Sequence, residues 1–166
     1  MAVGIFAGSF DPFTVGHLDI VKRASGIFEE VYVAVLTNSK KTSVFTKDER
    51  VKQICNAVED EEICNVSAIS FEGLLVDCAK SVGATCTIRG VRSPTDFDYE
   101  YIMAQTNKYL CGELETVVLL ARPEYLHISS SIVKELGIHS ASIKGLVPEI
   151  NESIVAERLK EYGRKR

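Results

Sequence analysis

Strand-like and helix-like patterns alternate over the whole of this 166-residue chain, and that alternation leaves few folds open. Val3-Gly4-Ile5-Phe6-Ala7 is a short apolar run, after which Ile20, Val21, Ala24, Ile27 and Phe28 recur at helical spacing. Val31 to Leu36 is β-rich, and Thr46-Lys47-Asp48-Glu49 has the form of a capping box ahead of a helix face carrying Val51, Ile54, Cys55 and Val58. Val66 to Phe71 alternates as a strand does, and Leu74 to Val82 reads as a helix closed by Gly83. Thr85-Cys86-Thr87-Ile88 leads towards a helix from about Asp96 to Tyr109, and Thr116 to Leu120 is the fifth strand. Ser129-Ser130-Ser131 precedes a helical pattern with Gly137 as its stop, and Ile150, Ile154, Val155 and Leu159 predict a terminal helix. Strands that alternate with helices imply right-handed crossovers, so the expected class is α/β: a doubly wound, five-stranded parallel sheet with C-terminal helices. No repeat, low-complexity tract or linker interrupts the pattern, so residues 1–166 are read as one domain.

Composition excludes several functions. At 46% hydrophobic and 25% charged the chain suits one core, and no apolar run approaches the roughly 20 residues that span a bilayer. No signal-peptide pattern opens the chain, so the expected location is cytoplasmic, with no membrane partner. The net charge of −4 weighs against nucleic acid, which needs a cationic stripe, and the terminal Arg164-Lys165-Arg166 does not supply one. Five cysteines without a C-x-x-C pair resemble neither a zinc site nor a disulfide framework.

In a doubly wound sheet, ligands bind beyond the carboxyl ends of the strands where strand order reverses, and the notable motifs all fall at that edge. Gly8-Ser9-Phe10-Asp11-Pro12-Phe13-Thr14-Val15-Gly16-His17 joins the first strand to the first helix. It pairs glycines and a Ser9 hydroxyl with an imidazole at the positive end of a helix, a place that suits a phosphoryl group. Ser39-Lys40-Lys41-Thr42 follows the second strand, and Lys41 is preferred to Lys40 as an ammonium reaching over the site. Arg89-Gly90-Val91-Arg92 places two guanidiniums at a strand end as an oxyanion clamp. Behind it, Glu100 would accept from a ribose hydroxyl or fix an arginine. Tyr125-Leu126-His127-Ile128-Ser129-Ser130-Ser131 offers hydroxyls and helix N-terminal N–H groups to phosphate, although one serine would serve as an N-cap. Asp11 would act on a metal through water or cap its loop, and no residue is assigned as a metal ligand. P-loop, G-x-G-x-x-G, G-x-S-x-G and H-E-x-x-H patterns are absent. Cationic, hydroxylic equipment suits attack by a phosphate already ionised at neutral pH, which needs no general base.

These motifs resemble a family. Gly8-Ser9-Phe10-Asp11-Pro12 with Thr14-Val15-Gly16-His17 looks like the nucleotidyltransferase signature G-[ST]-F-D-P…[TH]-x-G-H. Phe45-Thr46-x-x-Glu49-Arg50, Ile88-Arg89-Gly90-Val91-Arg92, Asp96-Phe97-Asp98-Tyr99-Glu100, Ile128-Ser129-Ser130-Ser131-Ile132-Val133-Lys134-Glu135 and Leu146-Val147-Pro148-Glu149 resemble the bacterial phosphopantetheine adenylyltransferases. Ala7, Val91 and Asp98 depart from the family's commoner proline, leucine and glutamate without removing a charge or hydroxyl from the site.

The resemblance implies a Rossmann-like domain that transfers the adenylyl group of ATP to 4′-phosphopantetheine, giving dephospho-coenzyme A and pyrophosphate with Mg²⁺ bound mainly through ATP phosphates. It also implies a homohexamer and feedback inhibition by coenzyme A. By resemblance, His17 stabilises the transition state, with Lys41 and Arg92 also catalytic, and Ser9, Lys41, Leu75 and Arg89 bind phosphopantetheine. Ser9, Phe10, His17, Gly90, Val91, Arg92, Glu100, Tyr125, Leu126, His127, Ile128, Ser129, Ser130 and Ser131 line the ATP site. The alternatives are a related cytidylyltransferase or nicotinamide-type adenylyltransferase and, from another class, a non-catalytic nucleotide-binding regulator. A fragment of a class I aminoacyl-tRNA synthetase is set aside because the chain is short, acidic and without an RNA-binding face.

Overall fold

The computed structural model describes residues 2–36 and 43–164. In chain order the elements are β1 (Val3–Gly8), α1 (Val15–Ser25), β2 (Glu30–Leu36), α2 (Lys47–Asp60), β3 (Val66–Phe71), α3 (Leu75–Ser81), β4 (Cys86–Val91), α4 (Pro94–Leu110), β5 (Glu115–Leu120), α5 (Ser130–Ile138) and α6 (Glu149–Arg164), with a short 3₁₀ turn at Pro123–Tyr125. All strand pairings are parallel and the order is β3-β2-β1-β4-β5, the doubly wound sheet expected from the alternation. The chain winds outward from β1 to β3, then returns to lay β4 against the other side of β1. Strand order therefore reverses between β1 and β4.

Strand geometry sends alternate side chains to opposite faces, and both faces are covered. Phe6, Val31, Val33, Val35 and Ile88 pack with Leu18, Val21 and Ala24 of α1 and Ile54, Ala57 and Val58 of α2. Ile5, Ala7 and Ala34 instead meet Val76, Cys78 and Ala79 of α3 and Leu114. Each large aliphatic or aromatic side chain so buried contributes about 1.5–3 kcal/mol. A third cluster joins Val44 and Phe45 to Val133 of α5 and Ile143, Val147, Val155 and Leu159 around α6. Among the described residues no helix is long and apolar enough to cross a membrane.

Two boundaries differ from expectation. Gly137 does not end its helix: α5 continues to Ile138, and the glycine is there because a Cβ would overlap Leu159 of α6. The α4 helix starts at Pro94 rather than near Asp96, because the Ser93 side chain accepts the Asp96 N–H and Pro94 stands at the first helical position, where its missing donor costs nothing.

Candidate active site

A cleft of about 310 Å³ opens at the reversal point between β1 and β4. It is lined by Gly8, Ser9, Phe10 and His17 from the first loop, by Arg89, Gly90, Arg92 and Glu100 from β4 and α4, and by Ile128, Ser129 and Ser130. Three separated motifs thus meet in one depression. Val91 is buried in the sheet, while Leu75 begins α3; neither they nor Tyr125, Leu126, His127 and Ser131 line the cleft. Lys40 and Lys41 lie outside the described residues, as do Ser39 and Thr42.

His17 sits at the third position of α1, completing a capping box with Thr14. The Thr14 hydroxyl accepts the His17 backbone N–H at 3.3 Å, and the Thr14 backbone N–H donates to Nδ1 of the His17 ring at 3.0 Å. Because Nδ1 accepts, the neutral ring carries its proton on Nε2, which is left as a donor towards the cleft. Phe10 meets the imidazole edge to face at 5.1 Å between ring centres, and Phe13 lies 5.5 Å away on another side. This packing, and secondarily the positive charge of Arg92, lowers the His17 pKa from 6.5 to about 4. The ring is neutral at physiological pH.

The loop that presents His17 is fixed from several directions. Phe10 holds a left-handed backbone, φ 46°, with its ring 2% exposed among Phe6, Phe13 and His17. The Phe13 N–H donates to Gln53 Oε1 at 3.1 Å, and the Val15 N–H donates to the Leu146 carbonyl at 3.1 Å. Arg50 Nη1 donates to the Ser9 carbonyl at 2.7 Å, and the Ser130 hydroxyl to the Pro12 carbonyl at 2.8 Å. Of the two roles open to Asp11, the geometry displays the capping one. Its Oδ1 accepts the Phe45 N–H at 3.0 Å, and its Oδ2 accepts the Val44 N–H at 3.2 Å and pairs with Lys134 Nζ at 3.0 Å.

Both arginines of the β4 end are held by carboxylates on α4. Glu100 takes Arg89 in a two-pronged pair, Nε to Oε2 and Nη2 to Oε1 each at 2.5 Å, while Arg89 Nη1 donates to the Ala7 carbonyl at 2.7 Å. Glu100 therefore fixes an arginine in this structure, one of the two roles its sequence position allowed. Arg92 pairs through Nε with Asp96 at 3.0 Å and donates through Nη1 to the Ile128 carbonyl at 3.2 Å. Gly90 lies between them because Ile20 approaches so closely that a Cβ would sit 3.1 Å from its Cγ1. Ser129 caps α5 by accepting the Ile132 N–H at 3.2 Å. The residues that anchor the loop, Gln53, Arg50 and Lys134, carried no role in the sequence reading; only the Glu49-Arg50 and Lys134 motif positions marked any of them.

No group of three or more His, Cys, Asp or Glu side chains that could hold a metal ion is gathered among the described residues. What the site offers chemically is a preorganised field for phosphate: a neutral N–H donor at a helix N-terminus, two oriented guanidiniums and the N-terminal turn of α5.

The cytidylyltransferase-like family profile matches residues 5–136, from the first strand into α5. A phosphopantetheine adenylyltransferase of Lachnoclostridium phytofermentans is 46% identical over 166 residues, which cover all of this chain and 99% of that protein. One from Clostridium novyi is also 46% identical, over the full length of both. Among solved structures, a putative nicotinate-nucleotide adenylyltransferase from Vibrio parahaemolyticus superposes with a TM-score of 0.69 over 98% of this chain and 94% of its own at 16% identity, a likeness of fold.

Proposed function

The chain belongs to the phosphopantetheine adenylyltransferases, and from that premise we propose how its cleft carries out the transfer of the adenylyl group of ATP to 4′-phosphopantetheine. The terminal phosphate oxygen of phosphopantetheine attacks the α-phosphorus of ATP. That P–O bond forms as the bond from the α-phosphorus to the bridging oxygen breaks, releasing pyrophosphate and leaving dephospho-coenzyme A. The attacking phosphate is ionised at neutral pH, so no residue has to remove a proton. The protein's task is alignment and charge stabilisation.

The observation that carries this reading is the fixed tautomer of His17 in the cleft. Its Nε2–H donates to a non-bridging α-phosphate oxygen, and the bond strengthens as charge develops in the transition state. Arg92 lines the same cleft and stands near enough to influence the ring, so it is assigned to the phosphate charge, and Lys41 is assigned to the same charge by its motif position. Arg89 and Ser9 take the acceptor phosphate, with Leu75 on the pantetheine side. Phe10, Gly90, Ile128, Ser129 and Ser130 form the nucleotide side of the cleft, with buried Val91 behind it and Tyr125 to His127 and Ser131 on the same segment outside the lining. On that side the serines and the start of α5 meet the phosphates; Glu100, which the resemblance put with the nucleotide, acts on the acceptor side by holding Arg89.

Mg²⁺ belongs to this reading as an ion carried by the ATP phosphates. The donor set fits that role, since Asp11, Asp96 and Glu100 are each engaged by cations. When bound, the ion neutralises phosphate charge and assists the leaving pyrophosphate.

Self-association as a homohexamer is supported by α4 and the edge strand β5. They leave Tyr99, Tyr101, Ile102, Tyr109 and Leu120 between 57% and 88% exposed, large apolar side chains that a second copy would cover. Product inhibition by dephospho-coenzyme A and coenzyme A follows from shared chemistry, because both carry the two halves that the cleft takes separately. A cytoplasmic location accords with five unpaired cysteine thiols.

A pyrophosphate-release assay with ATP or CTP and several phosphate acceptors tests the reaction. Turnover is expected with ATP and 4′-phosphopantetheine; turnover with CTP alone, or with a nicotinamide nucleotide alone, overturns it. Sedimentation velocity of the wild-type protein tests the assembly, with a hexamer mass expected.

A further inference from the structure

Asp19 is buried beside the site yet absent from the cleft lining, and it is gripped from two sides. Its Oδ2 pairs with Nη1 of Arg23, one turn further along α1, at 3.1 Å. Its Oδ1 pairs with Nε of Arg122 at 3.1 Å. The same Arg23 Nη1 donates to the carbonyl of Leu120, the last residue of β5, at 2.7 Å. Arg122 itself immediately precedes the 3₁₀ turn Pro123–Tyr125, and its carbonyl accepts the Tyr125 N–H at 2.9 Å.

These bonds secure the start of the segment from Ala121 to Ser129 against α1. Its far end is secured separately, by Arg92 on the Ile128 carbonyl and by the Ser130 hydroxyl on Pro12. Between the two fixings Leu126 and His127 are exposed, while Ala121, Ile128 and Ser129 line the cleft. The segment is a strap across one wall, and Asp19 sits one residue before Ile20, which lines the same cleft.

Packing alone would join β5 to α1 without desolvating a carboxylate. What the ion pairs add is direction: two guanidiniums on one carboxylate set both the height and the rotation of the strap's first residues over α1. We propose that Asp19, Arg23 and Arg122 are positioning residues for the nucleotide wall of the cleft, setting affinity for ATP without touching it. This rests on the reading that the Tyr125–Ser131 stretch takes the nucleotide.

The test uses the full chain with ATP binding followed by calorimetry and turnover followed by pyrophosphate release. Arg122 is 54% exposed at its side chain, so Arg122→Ala leaves the core untouched. It is expected to weaken ATP binding about tenfold, with kcat at saturating ATP and KM for phosphopantetheine within about twofold of wild type. Arg122→Lys, which keeps the charge and loses the fixed fork, is expected to recover about half of that loss on a logarithmic scale. Asp19→Asn is expected to show the same selective rise in KM for ATP. Unchanged ATP affinity in Arg122→Ala overturns the inference even where Asp19→Asn fails to fold. So does a fall in kcat with both KM values unchanged. A wild-type protein that binds no ATP overturns the functional reading and this inference together.

Discussion

Thr14 and His17 hold each other reciprocally: the Thr14 hydroxyl accepts the His17 backbone N–H and lies 3.0 Å from ring Nδ1, which also accepts the Thr14 backbone N–H. The imidazole therefore replaces the glutamate or glutamine that usually closes a capping box. One pair of bonds starts α1 and also sets the tautomer of the donor presented to phosphate.

Separate substitutions divide those two duties. His17→Ala is expected to lower kcat by about 10²–10³-fold, with ATP affinity within about threefold, as for loss of a transition-state donor. It also removes the reciprocal cap, a loss of about 1 kcal/mol of stability. His17→Gln restores the cap but not the donor geometry, so thermal melts should separate the two variants while turnover does not.

Acid should be felt through the same ring. The folded pKa of about 4 lies below the ordinary 6.5, so between these values the unfolded chain binds a proton that the folded ring refuses. The contribution is full above about 6.5 and is lost as pH falls through about 4. Melting temperature measured across this window should fall less steeply for His17→Gln than for wild type. The pH–rate profile should show no limb at 6.5 from this histidine.

Glu100 and Arg89 make a largely buried, two-pronged pair, with side chains 11% and 24% exposed. Glu100→Ala leaves the guanidinium short of its partner and is expected to cost roughly 2–3 kcal/mol of stability. Initial-rate kinetics should show KM for phosphopantetheine rising more than KM for ATP. An equal rise in both would place Arg89 away from the acceptor phosphate.

Asp11 tests the difference between a loop cap and a metal ligand. Asp11→Asn loses charge beside Lys134 and turns an N–H₂ towards donors, and chemical denaturation should register about 2 kcal/mol of destabilisation. The Mg²⁺ concentration for half-maximal turnover should stay within about twofold of wild type. A tenfold rise would make Asp11 a participant in metal binding.

The fold was legible because periodicity does not depend on distant partners. Among the described residues the five strands and six helices lie where the alternation of patterns puts them, apart from the start of α4 and the end of α5, and Thr46 and Ser129 cap their helices as their residue types foretell. The parallel, doubly wound sheet followed from the crossover rule, whereas the order β3-β2-β1-β4-β5 is seen only in the folded chain, because local periodicity does not say which strand edge a crossover reaches. Gly137 was misread because, in one dimension, a stop signal and a notch for Leu159 look alike. The acidic run of α4 was legible as a favourable helix start, but Arg89 and Glu100 are 11 positions apart on different elements, so only folding shows them paired. Likewise the Phe13 N–H finds Gln53 40 residues away, a contact no local spacing announces. The two lysines after β2 fall outside the described residues, so their motif position alone speaks for them.

Leu159 occupying the notch at Gly137 has a mechanical consequence. It makes α6 the fulcrum on which α5 rests, and the other end of that lever carries Ser129 and Ser130 at the cleft. A side chain added at position 137 would tilt the lever about Val133, far from any ligand, and the displacement would arrive at the serines. The C-terminal helix, which beyond its first residue Glu149 carries no signature residue, is thereby part of the machinery's calibration, and alterations made there would be read out in nucleotide handling.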